Sequence, residues 1–161
     1  MMTLLAHVLF CLVLAWDVSP AATALQAFVS STEKLLMGVA HEMPADKYDF
    51  VPTGGEFRGV RSFGKQLKHA AAVQYLVANS ILGEPVNAEM SDERGPDAVR
   101  SKADVIGYLQ GSFEALHRAA ATVDERNAFS PIAGVVAHSS NHYGQVVEYL
   151  RMIGLIPPAS R

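Results

Sequence analysis

The sequence predicts an all-α fold, an up-down-up-down four-helix bundle, and three observations predict it. No stretch alternates apolar and polar residues as a half-buried strand would. Four segments of similar length each carry an apolar stripe at the helical period. Capping and stop residues separate those segments, and four helices with one apolar face each can cover one another in a bundle.

The first helix is expected over residues 25–43, ended by Pro44, with Phe28, Leu35, Leu36 and Val39 as its stripe. The second opens after Ser62, a serine suited to the N-cap, and runs through Leu67, Val73, Leu76 and Ile81 to Gly83, a C-cap glycine. The third begins at Ser101, with Asp104 three residues on, close to a capping box. Its stripe of Ile106, Leu109, Phe113, Leu116 and Ala120 has the three-four spacing of a core-facing helix. The fourth starts on Ser130 as N-cap and Pro131 as first helical residue, and it ends at Gly154 before Pro157 and Pro158. The connections 44–61 and 84–100 are long for a bundle. Tyr48 and Phe50 in the first can fold back over one end; the second, charged and rich in Gly and Pro, reads as a solvated excursion.

A chain of 161 residues, half of them hydrophobic, suffices for one domain with a core of its own. Residues 4–16 form an apolar run broken only by His7, followed by Asp17-Val18-Ser19-Pro20 and the small residues Ala21-Ala22-Thr23-Ala24. This reads as a signal peptide over residues 1–24 cleaved after Ala24, leaving a domain of residues 25–161 that is periplasmic or secreted. The run is shorter than the roughly 20 residues a membrane span needs, so cleavage leaves no stable membrane anchor. The n-region carries no Lys or Arg, and the competing reading is a buried first helix. Cleavage removes Asp17 and no cation, taking the net charge from −3 to −2. It also removes Cys11, the one cysteine, and with it any disulfide, thiolate nucleophile or cysteine-based zinc site. The acidic balance argues against a nucleic-acid partner, which needs a basic face.

The motif that carries chemistry is His138-Ser-Ser-Asn-His142 on the fourth helix. Residues four apart share a helical face, with Cβ atoms roughly 5–6 Å apart, so two imidazoles can converge on one ion. Val135, His138, His142, Val146 and Tyr149 fall on one stripe, which turns the pair towards the core. Two unrelated histidines, one packed and one wet, are the bland alternative. Burying two imidazoles without a metal or a proton sink is costly, because each ring nitrogen needs a partner. His69 is the third candidate: it lies seven residues past Ser62, and His138 lies eight past Ser130. In an alternating bundle the second and fourth helices run parallel, which puts both about 10–12 Å below one end. His41, at the end of the first helix, and His117, read as a surface residue, are assigned no metal.

The stretches Met43-Pro-Ala-Asp-Lys-Tyr-Asp-Phe-Val-Pro-Thr, Arg61-Ser-Phe-Gly-Lys-Gln-Leu-Lys-His69 and His138-Ser-Ser-Asn-His142-Tyr-Gly-Gln resemble the DinB-like family in order, spacing and candidate ligands. The resemblance covers nearly all of the chain after residue 24. It implies an alternating four-helix bundle, often a homodimer, with a three-histidine metal site whose first ligand maps onto His69 and whose pair maps onto His138 and His142. The family name refers to induction by DNA damage and implies no DNA binding. Where relatives carry Asp before the last histidine, this chain has Asn141, which would weaken a ligand oriented by that carboxylate.

Three neutral nitrogen ligands leave a coordination position open, as in catalytic rather than structural zinc sites. Imidazole suits several divalent transition metals, zinc or nickel foremost here. The resemblance implies a metal-dependent hydrolase, or a transferase acting on small thiols, with a small-molecule substrate that the sequence does not name. The alternative is a non-catalytic metal-binding or interaction bundle in which the ion is a staple. Glu114, Glu148 and Gln145 are not brought to the centre by any spacing argument, so no general base is assigned. A second apolar face at Val136, Tyr143, Val147 and Leu150 would serve either a homodimer or packing on the first helix.

Overall fold

The computed structural model describes residues 19–123 and 129–161; most of the expected leader, including the run 4–16, lies outside them, as does the side chain of Ser130. Within the described residues are the α-helices α1 (Pro20–Glu42), α2 (Phe63–Leu82), α3 (Ala88–Ser91), α4 (Lys102–Ala121) and α5 (Phe129–Met152), with 3-10 turns at Ala45–Lys47 and Pro158–Ser160. None of these helices is long and apolar enough to cross a membrane.

α1 starts five residues before the expected Leu25. Pro20 opens it, and the Ser19 hydroxyl accepts from Ala22 N at 3.1 Å, so residues 20–24 form its first turn and Ala22 is buried. Its buried stripe is Leu25, Val29, Thr32, Leu36, Val39 and Met43. Phe28 is not in that stripe: it is 59% exposed, because it stands one position, about 100° of helical rotation, from Val29. The carbonyls of His41 and Met43 at the end of α1 accept from Lys102 Nζ at 2.7 and 2.8 Å, pairing a cation with the negative end of the helix.

α2 and α4 begin where the capping residues place them. Ser101 and Asp104 form the reciprocal capping box, and Gly83 ends α2 in the left-handed region at φ 68°. Ser62 holds the N-cap position, but its hydroxyl makes no cap bond. The free N–H groups of Phe63 and Gly64 donate instead to the carbonyls of Phe50 (3.0 Å) and Tyr48 (2.8 Å), so the preceding loop caps the helix. A Cβ on Gly64 would lie 3.2 Å from the Tyr48 carbonyl oxygen, so the close approach of that loop requires glycine. Tyr48 and Phe50 do fold back: the Tyr48 hydroxyl donates to Ala40 O at 2.6 Å, and Phe50 meets Tyr149 edge to face. α5 is helical from Phe129, so Ser130 lies inside it rather than ahead of it. In α4, Ile106 is only half-buried, and Val105 takes its place beside Leu109, Phe113 and Leu116.

The long helices surround one core, with Phe63, Leu67, Phe113, Leu116, Ile132 and Leu150 fully buried. α2 packs on α4 and α5, α1 packs on the same two, and α4 barely touches α5. Side-chain pairs fix the directions. Gln66 meets Gln145 while Gln74 meets Ser139, so α2 and α5 are antiparallel. Lys68 reaches Val99, Gln74 meets Ser112, and Glu84 pairs with Arg118, so α2 and α4 are parallel. Gln26 meets His117 near one end and Lys102 meets His41 near the other, so α1 and α4 are antiparallel. The four-helix bundle is as expected, but the helices run up-down-down-up rather than up-down-up-down. The reason is the connection 83–101, which is long enough to carry the chain back along the length of α2. Asn79 donates to Pro85 O and lies against Met90, Glu93 lies over His69, and Gly95 sits on Lys68 and Tyr108. The connection expected to be a solvated excursion is therefore a strap on the bundle, with α3 inside it.

One polar network crosses this apolar interior. Gln74, fully buried, donates to Ser139 on α5 at 2.9 Å and accepts from Ser112 on α4 at 2.7 Å. Three helices are thereby locked in rotation and register, and each buried polar atom in the network has a partner.

Candidate metal centre

The locked rotation of α5 decides where its histidines point. Ser139 turns inward to Gln74, and His138 and His142, on the flanking positions of the same face, turn towards the N-terminal half of α2. There His69 stands one turn after Gln66. The Nε2 atoms of His69 and His138 lie 3.2 Å apart, and those of His138 and His142 lie 3.1 Å apart. The three rings meet nearly edge to face, with centroids 4.5–5.0 Å apart. All three expected ligands are brought together. The argument from equal depth in parallel helices is corrected, however: the antiparallel pairing of α2 with α5 produces the meeting.

Hydrogen bonds behind two rings fix which nitrogen faces the centre. His69 Nδ1 lies 2.8 Å from the carbonyl oxygen of Glu93, which only accepts, so Nδ1 carries the hydrogen and Nε2 presents a lone pair. The Glu93 carboxylate is farther, at 3.9 Å, and the carbonyl is the partner that sets the tautomer. His142 Nδ1 lies 2.8 Å from Gln66 Oε1, whose amide nitrogen donates to Gln145 at 2.8 Å. His142 thus also turns a lone pair inward, given that assignment of the Gln66 amide. His138 Nδ1 is buried with no partner among the described residues. Burial pushes the His142 imidazolium down to about 4 and lowers that of His138, with neighbouring histidines and Arg61 adding to the effect. At neutral pH both rings are neutral, the ligating form.

The lone pairs of His69 and His142 both point at His138 Nε2, 3.2 and 3.1 Å away, and with His138 in the same tautomer the three nitrogens could share one cation. Metal–nitrogen bonds of about 2.0–2.1 Å would be compatible with nitrogens at these two spacings sharing one ion. The residues fit one divalent transition metal. Among the described residues no fourth histidine, cysteine or carboxylate joins the three. A cavity of about 490 Å³ opens on His69 from solvent.

Two residues that hold the ligands escaped the sequence reading. Gln66 could have been found, since it sits three positions before His69 on the same face. Glu93 acts through its backbone, at φ 58°, and a carbonyl leaves no signal in a sequence. Asn141 is exposed, so the position read as a ligand-orienting one is filled by neither an acid nor an inward-turned side chain. Gln145 reaches the centre through Gln66, whereas Glu148 pairs with Arg151 and Glu114 accepts from Gln110. His41 is exposed at the end of α1. His117 is not a plain surface residue: it bridges α4 to α1 through Gln26 (2.7 Å) and Glu33 (2.8 Å), far from the centre.

Comparison with curated proteins and with solved structures finds no match. The family model of the DinB superfamily matches residues 29–146, which contain all three histidines, Gln66 and Glu93. That match spans well over half of an all-helical chain with a three-histidine cluster, and the chain belongs to the DinB superfamily.

Proposed function

We propose that the protein is a metal-dependent enzyme, a hydrolase or related transferase acting on a small molecule through one zinc or nickel ion on His69, His138 and His142. The observation that carries this reading is the combination of three imidazole nitrogens within 4.8 Å of one another, a cavity reaching His69 and no fourth ligand among the described residues. A divalent ion held by these histidines would supply Lewis acidity able to polarise a carbonyl or activate a water or thiol. The chain supplies the rest. Gln66 and the Glu93 carbonyl hold two rings in the ligating tautomer, and burial keeps His138 and His142 unprotonated. A cavity that reaches His69 supports access from solvent, whereas a purely structural centre would be closed by a fourth ligand. We also propose export by the apolar segment 4–16 and homodimer formation through the apolar patch of Phe28, Ala133, Val136 and Ala137.

The deciding experiment is elemental analysis of protein purified without a histidine tag, together with a crystal structure of the metal-bound form. One ion per chain with an exchangeable non-protein ligand supports the enzyme. A fourth protein ligand closing the coordination sphere would establish the non-catalytic staple instead.

A further inference from the structure

The cavity that opens on His69 is lined by Arg61, Lys65, Lys68 and Arg94, with Asp97 as its one carboxylate. Lys65, Lys68 and His69 follow at i, i+3 and i+4 on α2, so the helix presents two ammonium groups beside the ligand. Arg61 stands just before the helix. Arg94 is held by Asp92 at 2.6 Å and contributes little free charge. Among the described residues Arg61, Lys65 and Lys68 form no ion pair, and the sole side-chain partner of Lys68 is the uncharged carbonyl of Val99 at 3.4 Å. Counting Asp92, Glu93 and Asp97 against the four cations leaves the mouth positive by one, in a chain whose net charge is −3. Like charges gathered at a cleft focus the field and raise the local concentration of counter-charged ligands. Imidazole ligands add no negative charge to offset a divalent ion, so an ion held beside His69 would also favour anions in this cavity. The volume, about 490 Å³, suits a small molecule, and the cations surround a pocket rather than form a stripe along which a polymer could lie.

We propose that the centre acts on small oxyanionic molecules, carboxylates or phosphate esters, whose anionic group docks on Arg61, Lys65 and Lys68 while the remainder reaches the three histidines. This rests on the metal-dependent reading above and names its substrate class. Arg61 and Lys65 are binding residues that fix the anion; they take no part in bond making.

Untagged protein loaded with cobalt(II) tests it, because the visible absorption of cobalt reports its coordination without any assay of turnover. Inorganic phosphate and acetate are titrated in separate arms at low and high ionic strength. Both anions should shift the spectrum of the wild type, and added salt should weaken both. Arg61→Gln/Lys65→Gln should bind each anion about tenfold more weakly and Lys65→Gln alone about threefold, with cobalt content and helicity unchanged. Lys34→Gln, a charge change on the far side of α1, should match the wild type. A shift by phosphate alone or acetate alone assigns the group to that one oxyanion. If the wild type takes up cobalt but neither anion alters its spectrum, or if the double variant binds like the wild type, the inference is overturned while the metal centre stands. If the wild type takes up no cobalt, the centre itself is wrong and the inference falls with it.

Discussion

His142 is the residue at which fold and chemistry meet most directly. Its Nδ1 is fixed by Gln66, its Nε2 faces two other imidazoles, and burial resists its protonation. Gln66→Ala should leave the bundle folded and weaken metal binding about 10- to 100-fold, the usual effect of removing a ligand's outer partner. Glu93→Gln should leave affinity nearly unchanged, because the backbone carbonyl that holds His69 remains; competition against a fluorescent chelator measures both. Metal binds the folded chain in preference to the unfolded one, so it adds about 4 kcal/mol when free metal is a thousandfold above its Kd. Chelation should therefore lower the Tm of the wild type. His69→Ala and His142→Ala should no longer respond to chelator, whereas His117→Ala should respond although its bridge to α1 is lost. A His69→Ala protein with full metal stoichiometry and affinity would refute the three-histidine centre. The sign of the pH effect follows from the same burial. In the unfolded chain a histidine takes up a proton below about 6.5, but His142 in the fold resists until about 4. Stability of the metal-free protein should be flat above about pH 6.5 and decline as the pH falls towards 4, by on the order of 3 kcal/mol. Urea unfolding across that window should show the decline in the wild type and a shallower one in His142→Ala.

At the scale of the elements, the orientation of α5 depends on a contact that has no chemistry of its own. Gln74, Ser112 and Ser139 form the buried polar link among α2, α4 and α5, and Ser139 sits between the two histidines of α5. Gln74→Ala removes the shared partner and leaves two buried hydroxyls poorly satisfied beside a cavity. The expected cost is about 2–4 kcal/mol, read as a lower urea midpoint. Metal affinity should fall as well, since α5 loses what fixes its rotation. The strap 83–101 works in the opposite sense: it carries little of the core yet delivers the Glu93 carbonyl to His69. Its left-handed residues Gly83, Glu93 and Gly95 and its short helix α3 are what bend it onto α2.

For the whole molecule, the up-down-down-up order gathers the end of α1, the starts of α2 and α4 and the end of α5 at one end of the bundle. The connections 43–62 and 83–101 also meet there, and they frame the mouth of the centre. The opposite end holds Ser19, which caps α1 and lies 3.4 Å from Val123 O. Cleavage after Ala24 would remove that cap together with buried Ala22. A chain starting at Leu25 should be about 1–2 kcal/mol less stable than one starting at Ser19. Intact mass from a secretion host shows which form a cell makes, and a chain that keeps Met1 and stays in the cytosol ends the export reading. Of the second apolar face on α5, Val147 and Leu150 are buried within the monomer, which leaves half-buried Val136 and Tyr143, the former beside exposed Phe28, for a partner. Light scattering at tens of micromolar protein should give a dimer mass, and Phe28→Asp should give a monomer; a monomeric wild type would refute the pairing.

The four long helices, the caps at Ser101 and Gly83 and the histidine pair on α5 were legible because each is written in local spacing. A serine three residues before Asp104, a glycine after Leu82 and histidines four apart on a core-facing stripe have one low-energy backbone arrangement each. That His69 would meet the pair on α5 was legible as well, although for the wrong geometric reason. Direction and partnership belonged to the tertiary structure. A connection as long as 83–101 can end at either end of a bundle, so its sequence does not settle whether α2 and α4 run parallel; the packing of Gly95 on Lys68 and Tyr108 does. Gln66, the Glu93 carbonyl and the cations at the mouth acquire their roles only when α2, α5 and the strap come together. Hydrogen bonds and charge focusing depend on distances of a few ångströms between residues far apart in the chain, and local spacing does not encode those distances.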